Sequence, residues 1–330
     1  MTDFKTIFGK KIKFLTTDLT MSTATEGELF YSSTDNKFKV GVVVEAWSAG
    51  GNINTARYSG GGAGSSANSA LYSTGYSNTA GAYYSNSEEY NGTAWTEGED
   101  VSQIGQSTGG SGTQTAAWIA GRGPNSAPTG PIVATEEYDG TDWTAGGNMN
   151  TSVAGVGGCG TQTAASFTRG SQDHESYNGT AWTAETDSPS PAAGGAGQQG
   201  TQAAMIRFGG EDPGAYINNT YEWDGSSWSA GGNTLIAGSF TGAGGPATNA
   251  LQAGGYSPAV SPARVAPTMK YDGSTWAAMP TLGTGRSNNG AANNSTISGG
   301  TVIFSGHDGA PSVATEEFAQ TVTLKTVTDS

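Results

Sequence analysis

Short stretches in which polar and apolar residues alternate, each broken by Gly, Asn or Asp, run the length of this chain and predict short strands joined by tight turns. One stretch recurs. It reads Glu89-Tyr-Asn-Gly-Thr-Ala-Trp95, Glu137-Tyr-Asp-Gly-Thr-Asp-Trp143 and Ser176-Tyr-Asn-Gly-Thr-Ala-Trp182, then Glu222-Trp-Asp-Gly-Ser-Ser-Trp228 and Lys270-Tyr-Asp-Gly-Ser-Thr-Trp276. Asn-Gly and Asp-Gly predict two-residue type I′ hairpin turns, and the flanking aromatics predict a packed cross-strand pair. Counting Trp47, the tryptophans are spaced by 48, 48, 39, 46 and 48 residues, the size of one four-stranded propeller blade. Before each phrase, small residues suited to a crowded inner strand precede a short apolar strand that ends in glycine, as in Gln199-Gly-Thr-Gln-Ala-Ala-Met-Ile-Arg-Phe-Gly-Gly210. Glycine supplies 53 of 330 residues without a three-residue period, which excludes collagen and fits many turns and close backbone approaches.

A glycine pair after the second strand, a Tyr in the third and a Trp in the fourth resemble the kelch repeat. Trp276-Ala-Ala-Met-Pro-Thr-Leu-Gly-Thr-Gly-Arg286 is similar to the kelch passage from Trp through Met-Pro to Arg. The resemblance covers about residues 42–320, with a shorter spacer between Tyr and Trp and an eroded glycine pair at Ala120-Gly121-Arg122. It implies an all-β, six-bladed propeller anchored by Trp47, Trp95, Trp143, Trp182, Trp228 and Trp276, and implies little about function.

Two registers can close the ring. In the preferred one, Val42–Trp47 completes the sixth blade beside Glu316–Phe318. In the other, Thr321–Lys325 is the outer strand and Val42–Trp47 is an extra. Closure removes free sheet edges. Residues 321–330 are then a C-terminal strand or tail.

Propeller topology puts the loops between second and third strands on the face that carries the links between blades, with the Asx-Gly turns opposite. The former loops are long and dissimilar: Gly75–Ser87 is rich in Tyr, while Gly123–Ala134 and Gly254–Pro267 each hold three Pro. Dissimilar loops on a rigid scaffold are where binding usually resides. Tyr76, Tyr83, Tyr84, Asn125, Tyr216 and Tyr256 are the binding candidates on that face, with Tyr72 as a further stacking ring. The N-terminal segment is expected on the opposite face.

Residues 1–41 differ in composition, with six basic and five acidic residues against 8 and 23 in the remainder. Gly27–Tyr31 and Lys37–Val40 alternate across Ser32–Asn36 and predict a hairpin. The phrase from Ala24 to Val40 resembles the short β-segment that opens many bacteriophage tail-fibre and other virion surface proteins. That resemblance implies attachment to the particle through residues 1–41, contacts with other virion proteins and a location on the virion. An ordinary hairpin leading into the propeller is the bland reading of the same residues.

Candidate chemistry is sparse. No segment is long and apolar enough to cross a membrane, and no secretory leader is visible, so no membrane insertion is expected. A lone Cys159 forms no intramolecular disulfide, and Asn-x-Thr triplets at the turns are explained by turn chemistry. His174 and His307 lie in different repeats, so the copper cluster of a galactose-oxidase-type propeller is not expected. The Glu pairs 88/89, 136/137 and 316/317 recur at one blade position and read as outward-facing polar residues rather than a cation-binding ring. A net charge of −14 argues against nucleic acid. The expectation is a non-enzymatic virion fibre protein, free of metal and cofactor. Its long-loop face binds a host-surface glycan or protein, and it is open to homo-oligomer formation. The alternatives are a virion component with only particle-internal contacts and a propeller carbohydrate-active enzyme, which would need His, Asp or Arg clustered in the channel.

Overall fold

The computed structural model describes residues 13–20, 26–123, 132–152, 157–168, 172–190, 195–212, 214–239, 242–294 and 300–328. The phrase Tyr-Asx-Gly-x-x-Trp builds the outer hairpin of each blade. Tyr90 lies directly opposite Trp95, Tyr138 opposite Trp143, Tyr177 opposite Trp182, Trp223 opposite Trp228 and Tyr271 opposite Trp276. Their ring centroids are 4.9–5.4 Å apart. The turn between them is not the expected two-residue type. Four residues form it, and only the glycine has positive φ, +89° at Gly92 and +96° at Gly140. The Asx side chain replaces the missing turn geometry: Asn91 Oδ1 accepts from the backbone N–H groups of Thr93 and Ala94 at 2.9 and 3.0 Å, and Asp139 repeats this with Thr141 and Asp142.

Four-stranded antiparallel sheets follow from the innermost strand outward. Blade 1 is Gly61–Ser66, Ser69–Ser73, Ser87–Tyr90 and Trp95–Glu97, and blade 2 is Gly109–Thr113, Ala116–Arg122, Ile132–Tyr138 and Trp143–Ala145. Blade 3 is Gly157–Thr161, Ala164–Thr168, His174–Tyr177 and Trp182–Ala184, and blade 4 is Gly197–Thr201, Ala204–Phe208, Thr220–Trp223 and Trp228–Gly231. Blade 5 is Gly242–Gly244, Leu251–Ala253, Thr268–Tyr271 and Trp276–Met279. In blade 6, Gly290–Ala291 and Thr301–Phe304 are followed by the strand Thr315–Thr326, whose other neighbour is Lys37–Ala49. Trp47 packs on Phe318 at 5.2 Å and Gly50 N donates to Thr315 O, so the strand around Trp47 is the outer one of this blade. The innermost strands touch in sequence around a closed ring, sixth against first.

Glycine dominates those inner strands because the blades meet there. A Cβ on Gly62 would sit 2.8 Å from the backbone of Ala291, and one on Gly158 would sit 2.7 Å from the Trp118 ring.

Three kinds of strap recur at the joints between successive blades. Trp95, Trp143, Trp182, Trp276 and Trp47 donate their indole N–H to Thr315, Ser87, Thr135, Thr220 and Thr268 at 2.8–3.0 Å. Each acceptor lies three residues before the aromatic of the preceding blade. In blade 3 that place is held by His174, and Trp228 donates instead to Thr186 O. The second strap is phenolic: Tyr90, Tyr138, Tyr177 and Tyr271 donate to Glu317, Glu89, Glu137 and Glu222. Where the donor is replaced, as at Trp223 and Phe318, the corresponding acceptor place is Ser176 and Lys270. The third strap uses Gln114, Gln162 and Gln202, each donating to two backbone carbonyls of the preceding blade.

Residues 47–319 make one compact unit and residues 1–46 with 320–330 a smaller one, so Val42–Ala46 fall in the latter. Within the smaller unit, Leu29–Ser32 pairs with Lys37–Val40 as the expected hairpin, and Lys13–Leu15 adds a parallel strand. Gln320 bonds Glu45, Thr321 bonds Val44 O, and Val327 N reaches Phe38 O. Lys39 is paired with both Asp18 and Asp35. Ala24 and Thr25, at the start of the phrase that runs to Val40, lie outside the described residues.

The anchors differ in what their loss should cost. Trp182 is buried between blades, whereas Trp143 is only half-buried. Trp182→Ala is expected to cost about 3–5 kcal/mol in urea unfolding, with Trp143→Ala well below it. His174, held against Trp223 and Trp228 at 4.7 and 5.4 Å and bonded to Ser166, is pushed by burial from 6.5 to about 4. Between those values the unfolded chain binds a proton that the native imidazole refuses. Stability therefore falls as pH drops through the window, by about 3 kcal/mol at most. His174→Gln should flatten that slope in unfolding curves measured on either side of the window.

Candidate binding face

The links that enter the innermost strands pair with the loops between second and third strands. Tyr58 bridges Tyr76, Gln106 bridges Gly123, Ser239 bridges Tyr256 and Ser287 bridges His307, so links and long loops share one face of the propeller. Beneath that face lie buried ion pairs. Arg57, ten residues after Trp47, runs over Gly75, donates to Thr74 O and Glu88, and is fully buried with it at 2.5 Å. Arg286, ten residues after Trp276, lies over Gly306 and pairs with Glu316. Blade 2 exchanges the two positions. Glycine stands at 105, where the first would be, and Arg122 occupies the second glycine's place, reaching over Gly105 to Glu136. Each of these glutamates also accepts a backbone N–H from the link: Asn54 on Glu88, Ser102 on Glu136 and Gly283 on Glu316.

The Glu pairs are therefore not two outward-facing residues. The pleat sends Glu88, Glu136 and Glu316 inward to arginine, and Glu89, Glu137 and Glu317 to the next blade's tyrosine. The buried arginines were not anticipated from the sequence. Their signal was the repeated ten-residue spacing from Trp to Arg and the reciprocal Gly/Arg exchange in blade 2.

Of the candidates, Tyr76 and Tyr83 face each other across a small hairpin, Tyr76–Ser77 with Ala82–Tyr83, at 4.6 Å. Tyr58 stands edge-on to Tyr76 at 5.7 Å and to His307 at 4.9 Å, joining loops of blades 1 and 6. Burial, and then Arg264, hold His307 below its ordinary value, while burial raises the Tyr58 phenol. Tyr216, from the hairpin Glu211–Asp212 with Ala215–Tyr216, meets Tyr256 of blade 5 at 5.6 Å. Tyr84 is half-buried beside Gly105, to which its backbone bonds. These rings keep part of their surface exposed. Tyr72 does not: it is buried under Gly60 and Ser305, whose N–H and hydroxyl its phenol accepts. Asn125 lies outside the described residues. Tyr58, not singled out in the sequence, and His307, weighed there only as a metal ligand, join the cluster through loop pairing that no local pattern announces.

The central channel opens beside Tyr58, whose chain neighbour Ser59 lines it. Its mouth is lined by glycines of the inner strands with Ser59, Ser107, Thr108, Gln198, Gln199, Asn288, Asn289 and Asn293, and none of the described lining side chains is charged. Cys159, on the innermost strand of blade 3, is buried with its sulfur 3.7 Å from that of Met205, and burial pushes the thiol up to about 12. No group of three His, Cys, Asp or Glu side chains suited to a metal ion occurs among the described residues. No helix among them is long and apolar enough to cross a membrane.

The geometry defines a six-bladed β-propeller. No family model matches the sequence, and no curated protein matches it. Among solved structures the chain is similar to that of YjhT, with a TM-score of 0.62 and 13% identity over 84% of this chain and 99% of that one. At that identity the likeness is one of fold.

The buried pairs yield a test. Arg57→Met should destabilise by about 3–5 kcal/mol, because Glu88 is left buried and uncompensated. Combining it with Glu88→Leu should recover most of that loss in chemical unfolding.

Proposed function

We propose that this chain is a bacteriophage virion protein of the fibre type, a kelch-like propeller whose long-loop face recognises a host-surface glycan or protein. The observation that carries the reading is the pair of tyrosine groups on that face, Tyr58-Tyr76-Tyr83 and Tyr216-Tyr256, held on loops stitched to the blade links. Such rings offer large, rigid, amphipathic contact area at small entropic cost. The uncharged, carboxamide-bearing channel beside them supports a binding role over a catalytic one.

The smaller unit is the proposed attachment to other virion proteins, and its surface fits that role. Phe38, Val40, Val42 and Val44 share one side of a strand, and Phe38 and Val44 stay 40% and 36% exposed. Apolar side chains left in water on a small unit favour a covering partner. The strongly acidic charge of the chain is compatible with solubility on a crowded particle surface.

Purified protein should adsorb to host cells, and Tyr76→Ala with Tyr83→Ala should reduce adsorption at least tenfold without shifting the unfolding midpoint appreciably. Phe38→Ser with Val44→Ser should deplete the chain from purified particles while leaving cell adsorption of the free protein intact. Adsorption unaffected by the tyrosine changes would remove the receptor reading, and absence of the wild-type chain from particles would remove the virion reading.

A further inference from the structure

The channel mouth contains buried polar groups that the fold itself does not use. A cavity of about 150 Å³ opens between the inner strands of blades 1, 2, 3, 4 and 6. Gln199, on the innermost strand of blade 4, and Asn289, on the link into blade 6, both line it and are 0% and 5% exposed. Neither the amide nitrogen nor the carbonyl oxygen of either side chain has a partner among the described residues. Asn293 donates its amide across the channel to Gly110 O at 2.7 Å and Gly158 O at 3.4 Å, and its Oδ1 is likewise without a partner. Neighbouring Gln198 is different: its oxygen accepts from Thr168 and its nitrogen donates to Ser166 O, so its role is to join blades 3 and 4.

A buried carboxamide without partners forfeits the hydrogen bonds it had in water, and here several converge on one small space. Structural packing does not require them, because the glycines on either side already close the blades. Each carboxamide sets a donor beside an acceptor, which is the complement of a vicinal diol, in which each hydroxyl both donates and accepts. With no charged side chain among the described lining residues, an anion or a metal ion would find no counter-charge there. An apolar ligand would leave the amides unsatisfied.

We infer that this cavity is a subsite for a neutral polyhydroxylated ligand about the size of one sugar residue, read by Gln199 and Asn289 with Asn293 Oδ1 at the channel floor. The inference rests on the reading of the long-loop face as a glycan-recognising surface, since links and long loops share that face and a glycan seated on the tyrosines would have its terminal sugar within this mouth.

The test uses the full chain and four free sugars, galactose, glucose, mannose and N-acetylglucosamine, with glucuronate as a charged control. Binding is read by saturation-transfer difference NMR and calorimetry. At least one neutral sugar should bind saturably and glucuronate should not. Gln199→Leu and Asn289→Leu should each weaken that binding at least tenfold. Because each variant also removes an unsatisfied buried amide, its thermal midpoint without sugar should equal or exceed the wild type's, which separates lost recognition from lost folding. The inference is overturned if no neutral sugar binds the wild-type chain, the outcome expected of a cavity that only holds water, or if binding survives both substitutions. Should sugar binding fail while Tyr76→Ala with Tyr83→Ala still abolishes cell adsorption, the channel site falls and the loop-face reading stands. Sugar binding without any cell adsorption would leave the channel site standing and remove the loop-face reading.

Discussion

A four-stranded blade has two apolar faces and covers neither by itself, so everything in this molecule depends on what passes from one blade to the next. The tryptophan indole is the central contact. Its ring packs on the aromatic opposite it in its own blade, while its N–H reaches a Ser or Thr hydroxyl in the preceding blade at 2.8–3.0 Å. One side chain thus fixes both the hairpin and the angle between blades. The tyrosine-to-glutamate and glutamine-to-carbonyl straps join it where blade 2 meets blade 1 and where blade 3 meets blade 2. Burial, and then the glutamate partner, raise the Tyr90 and Tyr177 phenols to about 12, which keeps them protonated donors at ordinary pH.

Much of this was legible in the repeat phrase. The aromatic and Trp fell opposite one another because their positions flank a turn, and the period gave the blade size. The turn type was misread because Asx-Gly has two uses: as a two-residue I′ turn, or as an Asx-capped four-residue loop. The second is held here by the Asx oxygen, which accepts from the backbone N–H groups of the two residues after glycine. Blade-to-blade partners could not be read at all. Ser87 and Trp143 are 56 residues apart, and nothing in either local sequence says that a hydroxyl three places before a tyrosine will accept from the next repeat's indole.

The site was less legible than the scaffold. Loop length and tyrosine content pointed to the face that carries the tyrosine groups, and Tyr76 with Tyr83 emerged as neighbours in one hairpin. The joining of Tyr58 and His307 to them depends on strand-like bridges between links and loops, which have no periodic signature. Gln199 and Asn289 carried no signal, because a carboxamide in a glycine-rich strand reads as an ordinary polar residue until the ring is closed. The arginines beneath the loops show the same limit: Arg122 looked like decay of a glycine pair, yet it restores the charge pair that Gly105 forgoes.

The division of each tyrosine–glutamate strap between successive blades bears on how such a ring can grow. A repeat copied and inserted behind itself must serve as both donor to its parent and acceptor for its successor. Blade 2 could do so, because Glu137 and Tyr138 sit side by side in one strand and the copy would meet a carboxylate with a phenol. Blade 4 could not, since Trp223 in the copy would confront Glu222 of the parent and leave that carboxylate without its hydroxyl. At the two joints without the strap, Ser176 facing Trp223 and Lys270 facing Phe318, both halves are absent together. The unit that has to be kept whole in this propeller is thus the joint, which spans two repeats.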